Sequence, residues 1–448
     1  MSTRLSAATA SESNAVRFKT LEGWLDWQER LHPRAIDLGL ERVREVADRL
    51  GLRSFECPVI TIGGTNGKGS CIALLEAMLT AGGHRVATFT SPHLVRYHER
   101  IRLAGRSVTD AELIDVFERI DGARGGSSLT FFEFNTLAAL LLFQREPFDA
   151  VVLEVGLGGR LDAVNVIDAD VAVLSSVGLD HTDWLGATLA DIGREKAGIF
   201  RADRPAVLGS EAMPTSVFDA AQAVGARLCV PSRDYRYVVS DSRWDWFGRD
   251  TALKDLPLPA LAGRQQVRNA ATVLAALAEL HERLPLSFDQ VADGLRQVRL
   301  RGRFEVIAGD PEWILDVAHN PDAAELLALN LRDRPVSGAS IAIVGVLGDK
   351  DAPGVVKPLL PEIDTWIATG LTGARGVTAA ELKRRCGAAA GGWIEAADVI
   401  EACERASRLA APADRIVVFG SFHTVGPAIE WLARPARSAA ILARPQFG

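Results

Sequence analysis

The residues best placed to do chemistry form one glycine-rich run, Gly63-Gly64-Thr65-Asn66-Gly67-Lys68-Gly69-Ser70. It follows the apolar segment Val59–Ile62 and precedes a helical pattern from Ile72 to Leu79. A strand that feeds a glycine turn and then a helix aims backbone N–H groups and the positive helix end at an anion. Glycines let the main chain approach phosphate oxygens, Lys68 can bridge the outer phosphates, and the Ser70 hydroxyl can reach a magnesium ion. The run departs from the generic nucleotide loop: Ile62 stands where that pattern has its first glycine, and Gly69 follows the lysine where it has Ser or Thr. These residues point to nucleotide binding over a solvated lysine in a plain glycine turn, and they leave the reaction open.

Three further groups sit where strands should end. Glu154 closes the apolar run Val151–Leu153 and is followed by Gly156, Gly158 and Gly159, which clear space beside it. A carboxylate at the carboxyl end of a buried strand lies in the ligand crevice of an open α/β sheet and suits magnesium, which prefers oxygen ligands. Asp180-His181-Thr182-Asp183 follows the run Val171–Leu174, and His181 alone reads as either a structural histidine or a ligand. Ser91, in Thr90-Ser91-Pro92-His93, follows Val86–Phe89 and taken alone is a turn residue. Lys196 falls in an expected helix, Leu189–Ile199, where composition assigns it nothing beyond a surface or salt-bridge role.

The elements that must position these groups are short and β-rich: Val59–Ile62, Val86–Phe89, Val151–Leu153, Val171–Leu174, Ile314–Val317, Ile341–Val344, Trp366–Ala368 and Ile416–Phe419. Continuous apolar runs alternating with amphipathic stretches predict buried parallel strands in a doubly wound α/β fold. The 448 residues exceed what one core holds, about 250–300. The expected division is a tail at 1–17, a first domain at 18–298 and a second at 299–448, with the boundary in the basic segment Arg296–Arg303. Arg233–Pro259, with Trp244, Trp246 and several prolines, is expected to be an irregular excursion of the first domain. Hydrophobic residues make up 48% of the chain, so a large core can form, and the net charge of −7 argues against nucleic acid or an anionic membrane as partner. Five cysteines without a CxxC pair fit reduced thiols in a cytosol. No apolar run reaches a membrane span, and the polar stretch from Met1 to Asn14 has no signal core, so the expected location is cytoplasmic.

The motifs resemble the folylpolyglutamate synthase family, relatives of the Mur peptide ligases. They are GTNGKGS (Gly64–Ser70), TSPHLVRYHERI (Thr90–Ile101), LTFFEF (Leu129–Phe134), LEVGLGGRLDAVN (Leu153–Asn165), LDHTDWLG (Leu179–Gly186), IGREKAGIFR (Ile192–Arg201), LDVAHNP (Leu315–Pro321) and GSFHTVG (Gly420–Gly426). IDLGLER (Ile36–Arg42) looks like the start of the bifunctional members, and the likeness is weakest over Ser210–Pro259. Ser70 stands where some members carry Thr, with the hydroxyl kept.

The resemblance implies a P-loop N-terminal ATPase domain and a smaller Rossmann-like C-terminal domain that completes the site. It implies that Thr65, Asn66, Gly67, Lys68, Gly69 and Ser70 meet ATP, with Asn269, Arg303 and Asp316 added from the hinge and second domain. Ser91, Glu154 and His181 become magnesium ligands, for two ions per site. Lys196 becomes a carbamate-bearing lysine, and His319 helps complete the closed site. Thr130, Phe131, Phe132 and Glu133, with Leu161, Asp162 and Ala163, become dihydropteroate-binding segments.

The implied activity is ATP-dependent addition of L-glutamate to dihydropteroate and to tetrahydrofolates by a monomer, through an acyl phosphate. Closure of the second domain about a hinge at Arg296–Gly302 would exclude water from that intermediate. Two alternatives are a Mur-type amide ligase acting on a UDP-linked cell-wall precursor and a non-catalytic ATP-binding module.

Overall fold

The computed structural model describes residues 17–52 and 54–434, so all of the expected tail except Arg17 lies outside the described residues. Two large sheets organise the chain. The first contains β1 (Val59–Gly63), β2 (Val86–Phe89), β3 (Ile101–Leu103), β4 (Arg106–Ser107), β5 (Ala150–Glu154), β6 (Val171–Leu174), β7 (Pro205–Leu208) and β8 (Arg227–Cys229). Their order is β4-β3-β2-β5-β1-β6-β7-β8, parallel from β2 to β8 with an antiparallel β3–β4 edge.

Both faces of this sheet are covered, and the alternation shows which residue goes where. In β5, Val151 and Leu153 join one core cluster, while Ala150 and Val152 join the cluster on the opposite face. That is why the strands read as continuous apolar runs.

Register decides the site. Ile62 pairs with Glu154 across β1–β5, and Gly63 pairs with Leu174 across β1–β6. The carboxyl ends of the three central strands therefore finish level, and the segments that follow them emerge at one edge.

The segment expected to be irregular is a regular antiparallel sheet, β9 (Arg236–Ser240), β10 (Arg243–Phe247) and β11 (Ala252–Pro257), ordered β11-β10-β9. Trp244 and Trp246 sit two apart and are both buried, and the Trp246 Nε1–H donates to Ala271 O at 3.1 Å. The period-two spacing of the tryptophans is a strand signal that the neighbouring prolines obscure.

The second large sheet contains β12 (Glu305–Ile307), β13 (Glu312–Asp316), β14 (Ser340–Val344), β15 (Thr365–Thr369), β16 (Ile394–Ala396) and β17 (Arg415–Phe419), in the order β12-β13-β17-β14-β15-β16. Only β12 is antiparallel. Asp316 and Val344 both pair with Phe419, so this sheet also presents level strand ends. All eight expected strands are present, each within two residues of its expected limits. The loop after the helix Phe288–Gln297 leads into β12. Among the described residues no helix is long and apolar enough to cross a membrane.

Candidate active site

The strand-end segments of the two sheets face each other across one cavity of about 470 Å³. Every site residue expected from the sequence lines it: the loop Thr65–Ser70, Ser91, Thr130–Glu133, Glu154, Leu161–Ala163, His181, Lys196, Asn269, Arg303, Asp316 and His319.

The glycine loop is held by the segment after β6, through backbone and serine hydroxyls, and the helix that follows it has no capping side chain. Gly64 and Gly67 take φ of 140° and 92°, in the left-handed region, and a Cβ on Gly64 would fall 2.0 Å from Ser175 Oγ. The Thr65 amide donates to Ser176 O at 2.9 Å and the Asn66 amide to Ser176 Oγ at 3.0 Å, lacing the loop to the segment after β6. The helix Lys68–Ala81 then begins with no side-chain cap, which leaves its first amides for an anion. Lys68 Nζ rests on the carbonyls of Gly64 and Thr65, at 2.9 and 3.2 Å. The Thr65 hydroxyl is engaged with Gly178, so any contact of Thr65 with phosphate is left to its backbone.

Next to the loop, burial disfavours the charged forms of Glu154 and Lys68, raising the carboxyl and lowering the ammonium, while each draws the other back toward ionisation. The Ser91 amide donates to Glu154 Oε2 at 3.0 Å, so serine and carboxylate are neighbours. Burial drives His181 down to about 4, which keeps its ring neutral at ordinary pH. Its Nε2 lone pair faces Lys350 Nζ at 3.3 Å. Among the described residues no three His, Cys, Asp or Glu side chains surround a common point. Magnesium needs no such cage, because it keeps waters and shares substrate phosphates with one or two carboxylates. Ser91, Glu154 and a neutral His181 fit that sparse demand. Through Nε2, His181 can ligate only when Lys350 releases it.

Lys196 lies in the helix Leu189–Ala197 and is 6% exposed. Burial, reinforced by Lys68, pulls its amine down to about 7 against the opposing pull of Asp180 and Asp162. Gly159 allows the approach of this helix: a Cβ there would stand 2.7 Å from Lys196 O.

Several residues expected to touch ligand line the cavity and also have polar atoms engaged within the protein. Thr130 and Glu133 cap the helix Phe131–Phe143 reciprocally, and Glu133 Oε1 also accepts from Arg42 at 3.0 Å. Asp162 accepts from the amides of Leu157 and Val164, at 2.8 and 3.1 Å, and burial lifts its carboxyl to about 7. Asp316 accepts from the amides of Phe304 and Ala318, both at 2.8 Å, which ties β13 to the loop bearing Arg303. The Phe132 ring fills the space that Gly156 vacates, 2.6 Å from where a Cβ would lie. Asp183 is exposed and does not line the cavity.

Arg303 reaches across from the second half. Its guanidinium lies 5.0 Å from the Phe422 ring, and its Nη2 is 3.6 Å from the Cβ position of Gly69. Asn269 presents Oδ1 to Gly67, 3.1 Å from that glycine's Cβ position.

Five features carried no assigned role in the sequence. Asp180 gathers the second half: Lys350 Nζ donates to its Oδ1 at 2.5 Å and Asn320 Nδ2 to its Oδ2 at 3.2 Å, with His319 Nε2 at 3.5 Å. Burial opposes its ionisation, but His319 and Lys350 outweigh that and hold the carboxyl far below the usual range. Asn320 also exchanges amide hydrogen bonds with Asn66, at 3.0 and 3.1 Å. Lys350 lies six residues past β14, so the strand-end rule that picked out Glu154 also finds it. Ala35–Gly39 and Arg100 line the cavity from short segments with no periodic signal.

Two family models match the chain. The Mur ligase middle domain matches residues 62–210, and the Mur ligase glutamate ligase domain matches residues 302–422. The dihydrofolate synthase/folylpolyglutamate synthase of Escherichia coli (strain K12) is 44% identical over 92% of this chain and 95% of its own length. A structure of E. coli FolC in complex with DHPP and ADP superposes with a TM-score of 0.88 at 44% identity, covering 92% of this chain and 97% of that one. A bifunctional folylpolyglutamate synthase/dihydrofolate synthase with Mn, AMPPNP and L-glutamate bound has a TM-score of 0.87 at 42% identity, covering 94% of this chain and 100% of that one.

Proposed function

We infer the function from one premise: this chain belongs to the dihydrofolate synthase/folylpolyglutamate synthase family of Mur-type ligases. It is an ATP-dependent ligase that joins L-glutamate to dihydropteroate, giving dihydrofolate, and to tetrahydrofolates, giving polyglutamates. The observation that carries this reading is the single cavity in which the glycine loop, the Glu154 strand end, the aromatic pair Phe131–Phe132 and the second half's Arg303 meet. The relatives give no support to a UDP-linked substrate or to a module without catalysis.

A carboxylate and an ammonium do not condense in water, so the acid is first activated. The pteroyl carboxylate attacks the γ-phosphate of ATP, ADP leaves, and an acyl phosphate forms. The glutamate amine then attacks the acyl carbon, and inorganic phosphate leaves. Lys68 and the amides opening the helix Lys68–Ala81 offset the charge that spreads over the transferring phosphoryl group. Ser91, Glu154 and His181 would hold magnesium, which supplies charge stabilisation and a template when bound. Arg303 and Asn269 would contact ATP, and His319, anchored by Nδ1 to Val317 O at 2.8 Å, helps complete the closed site. Phe131, Phe132, Leu161 and Ala163 would receive the pterin, with Thr130, Glu133 and Asp162 shaping the backbone around it.

Lys196 is suited to carry a carbamate. An amine with its pKa near 7 is largely neutral just above that pH and can attack CO2, and the resulting anion suits a site crowded with cations. The nucleotide- and pterin-binding domain is 18–298, the completing domain is 299–448, and the protein works as a cytoplasmic monomer.

The test is product analysis by mass spectrometry with ATP, magnesium and L-glutamate. Dihydropteroate should yield dihydrofolate, and tetrahydrofolate should yield a ladder of glutamate additions. Phosphate release that ignores glutamate and every pterin would overturn the reading.

A further inference from the structure

We propose that Arg100 grips the reacting carboxylate of the pteroyl substrate, an inference that rests on the ligase reading above. Arg100 ends the 3-10 helix Tyr97–Arg100, is 9% exposed, and lines the cavity. Its Nε donates to His93 Nδ1 at 2.8 Å. Among the described residues no carboxylate pairs with it, and none accepts from its two terminal nitrogens. Glu154 and Glu99 act on it only through space, and a buried guanidinium without a carboxylate in direct contact is costly until an anion arrives.

The nearby acids are engaged elsewhere. Glu99 accepts from the amides of Leu94, Val95 and Arg96, at 2.8, 3.0 and 2.7 Å. Glu154 takes the Ser91 amide and is set against Lys68. The guanidinium is flanked by aromatic rings, with Phe131 at 5.6 Å and Tyr97 at 5.7 Å.

Arg100 thus stands between the aromatic end of the cavity and the Ser91–Glu154 strand ends beside the glycine loop. A pteroate whose rings lie among Phe131 and Phe132 carries its carboxylate at the opposite end. That carboxylate must reach this junction to meet the γ-phosphate. The planar fork of arginine matches a carboxylate through two parallel hydrogen bonds.

The loop leading to Arg100 also packs on the second half. Leu94 and Val95 lie against its core, and a Cβ on Gly426 would fall 2.1 Å from Leu94 O. The same contact that closes the halves therefore holds the loop that carries the gripping cation.

The experiment is a binding cycle on the full chain with magnesium and ADP. Dihydropteroate and its carboxamide are titrated calorimetrically into wild type and Arg100→Met. Wild type should prefer the carboxylate by about 10- to 100-fold, the range for a hydrogen bond to a charged group. Arg100→Met should bind the two ligands about equally, and Arg100→Lys should keep part of the preference. A full preference retained in Arg100→Met would overturn the assignment. So would an intact preference accompanied by a raised KM for glutamate, because the gripped anion would then be glutamate's. If Arg100→Met loses ADP binding, Arg100→Gln takes its place and is read by the same criterion. Wild type that binds neither pteroate ligand would sink the ligase reading, and this inference with it.

Discussion

The two edges of the cavity are built differently. The first-half edge is made of backbone: glycines at positive φ, amides laced to Ser176, and an uncapped helix start. The second-half edge is made of side chains on short loops, with His319, Asn320 and Lys350 converging on Asp180 and Arg303 reaching Gly69. A backbone site of this kind is completed within the first half, by the segment after β6, and is ready before ligand arrives. A side-chain site of this kind exists only when the halves meet. On the proposed function, the first edge would govern nucleotide binding and activation, and the second closure and commitment.

The sharpest way to break this division is to remove the loop cation. Lys68→Ala should lower kcat on the order of 10²- to 10³-fold, measured as glutamate-dependent phosphate release, because it removes charge stabilisation from the transferring phosphoryl group. If ATP binding and turnover survive at full strength, the first edge does not do what its geometry implies.

Asp180→Asn tests the second edge. It leaves Lys350 buried without its carboxylate, a loss of about 3 kcal/mol, or on the order of 10² in kcat/KM. The affinity for an ATP analogue should change little, since the glycine loop is intact. A larger loss of nucleotide affinity than of turnover would merge the two edges into one.

Lys196 gives a pH-dependent test. Its folded pKa is lowered to about 7, so the amine is protonated below that pH and neutral above it. Activity should fall when CO2 is stripped and return with bicarbonate, by about tenfold near pH 8 and less near pH 6, as the neutral fraction grows with pH. Arg in place of Lys196 should abolish the response. A carbamate signal in ¹³C NMR that fails to grow across that range would remove the modification from the reading.

The smallest effect is expected from Asn320→Ala. It removes the hydrogen bonds to Asn66, the one to the Asp180 carboxylate and the cap on the helix Pro321–Arg332, about 1–1.5 kcal/mol or roughly five- to tenfold in kcat/KM. The change should appear in glutamate-dependent turnover more than in ATP affinity.

Legibility followed the same line. Glu154 and Lys68 were visible because apolar runs and glycines mark strand ends. Arg100 and Ile36–Gly39 fell inside quoted motifs but drew no role, because short irregular segments carry no period that says which side chains face a cavity. Asp162 and Glu133 were picked out by motif, but their carboxylates hold backbone, and a sequence does not say whether a carboxylate's lone pairs are free. Asp183 looked as eligible as Asp180, yet one is exposed and the other takes three partners from the second half.

Local sequence pattern was enough for the eight expected strands, the glycine turn and the family, though not for β9–β11, because hydrophobic period and backbone permissiveness are local properties. Only the folded chain brings Ile62 level with Glu154, Lys350 and Asn320 to Asp180, and Arg100 to the cavity wall with no carboxylate in direct contact among the described residues. Those facts depend on register and on the docking of the two halves. Both are set by contacts between residues far apart in the chain, which no local pattern encodes.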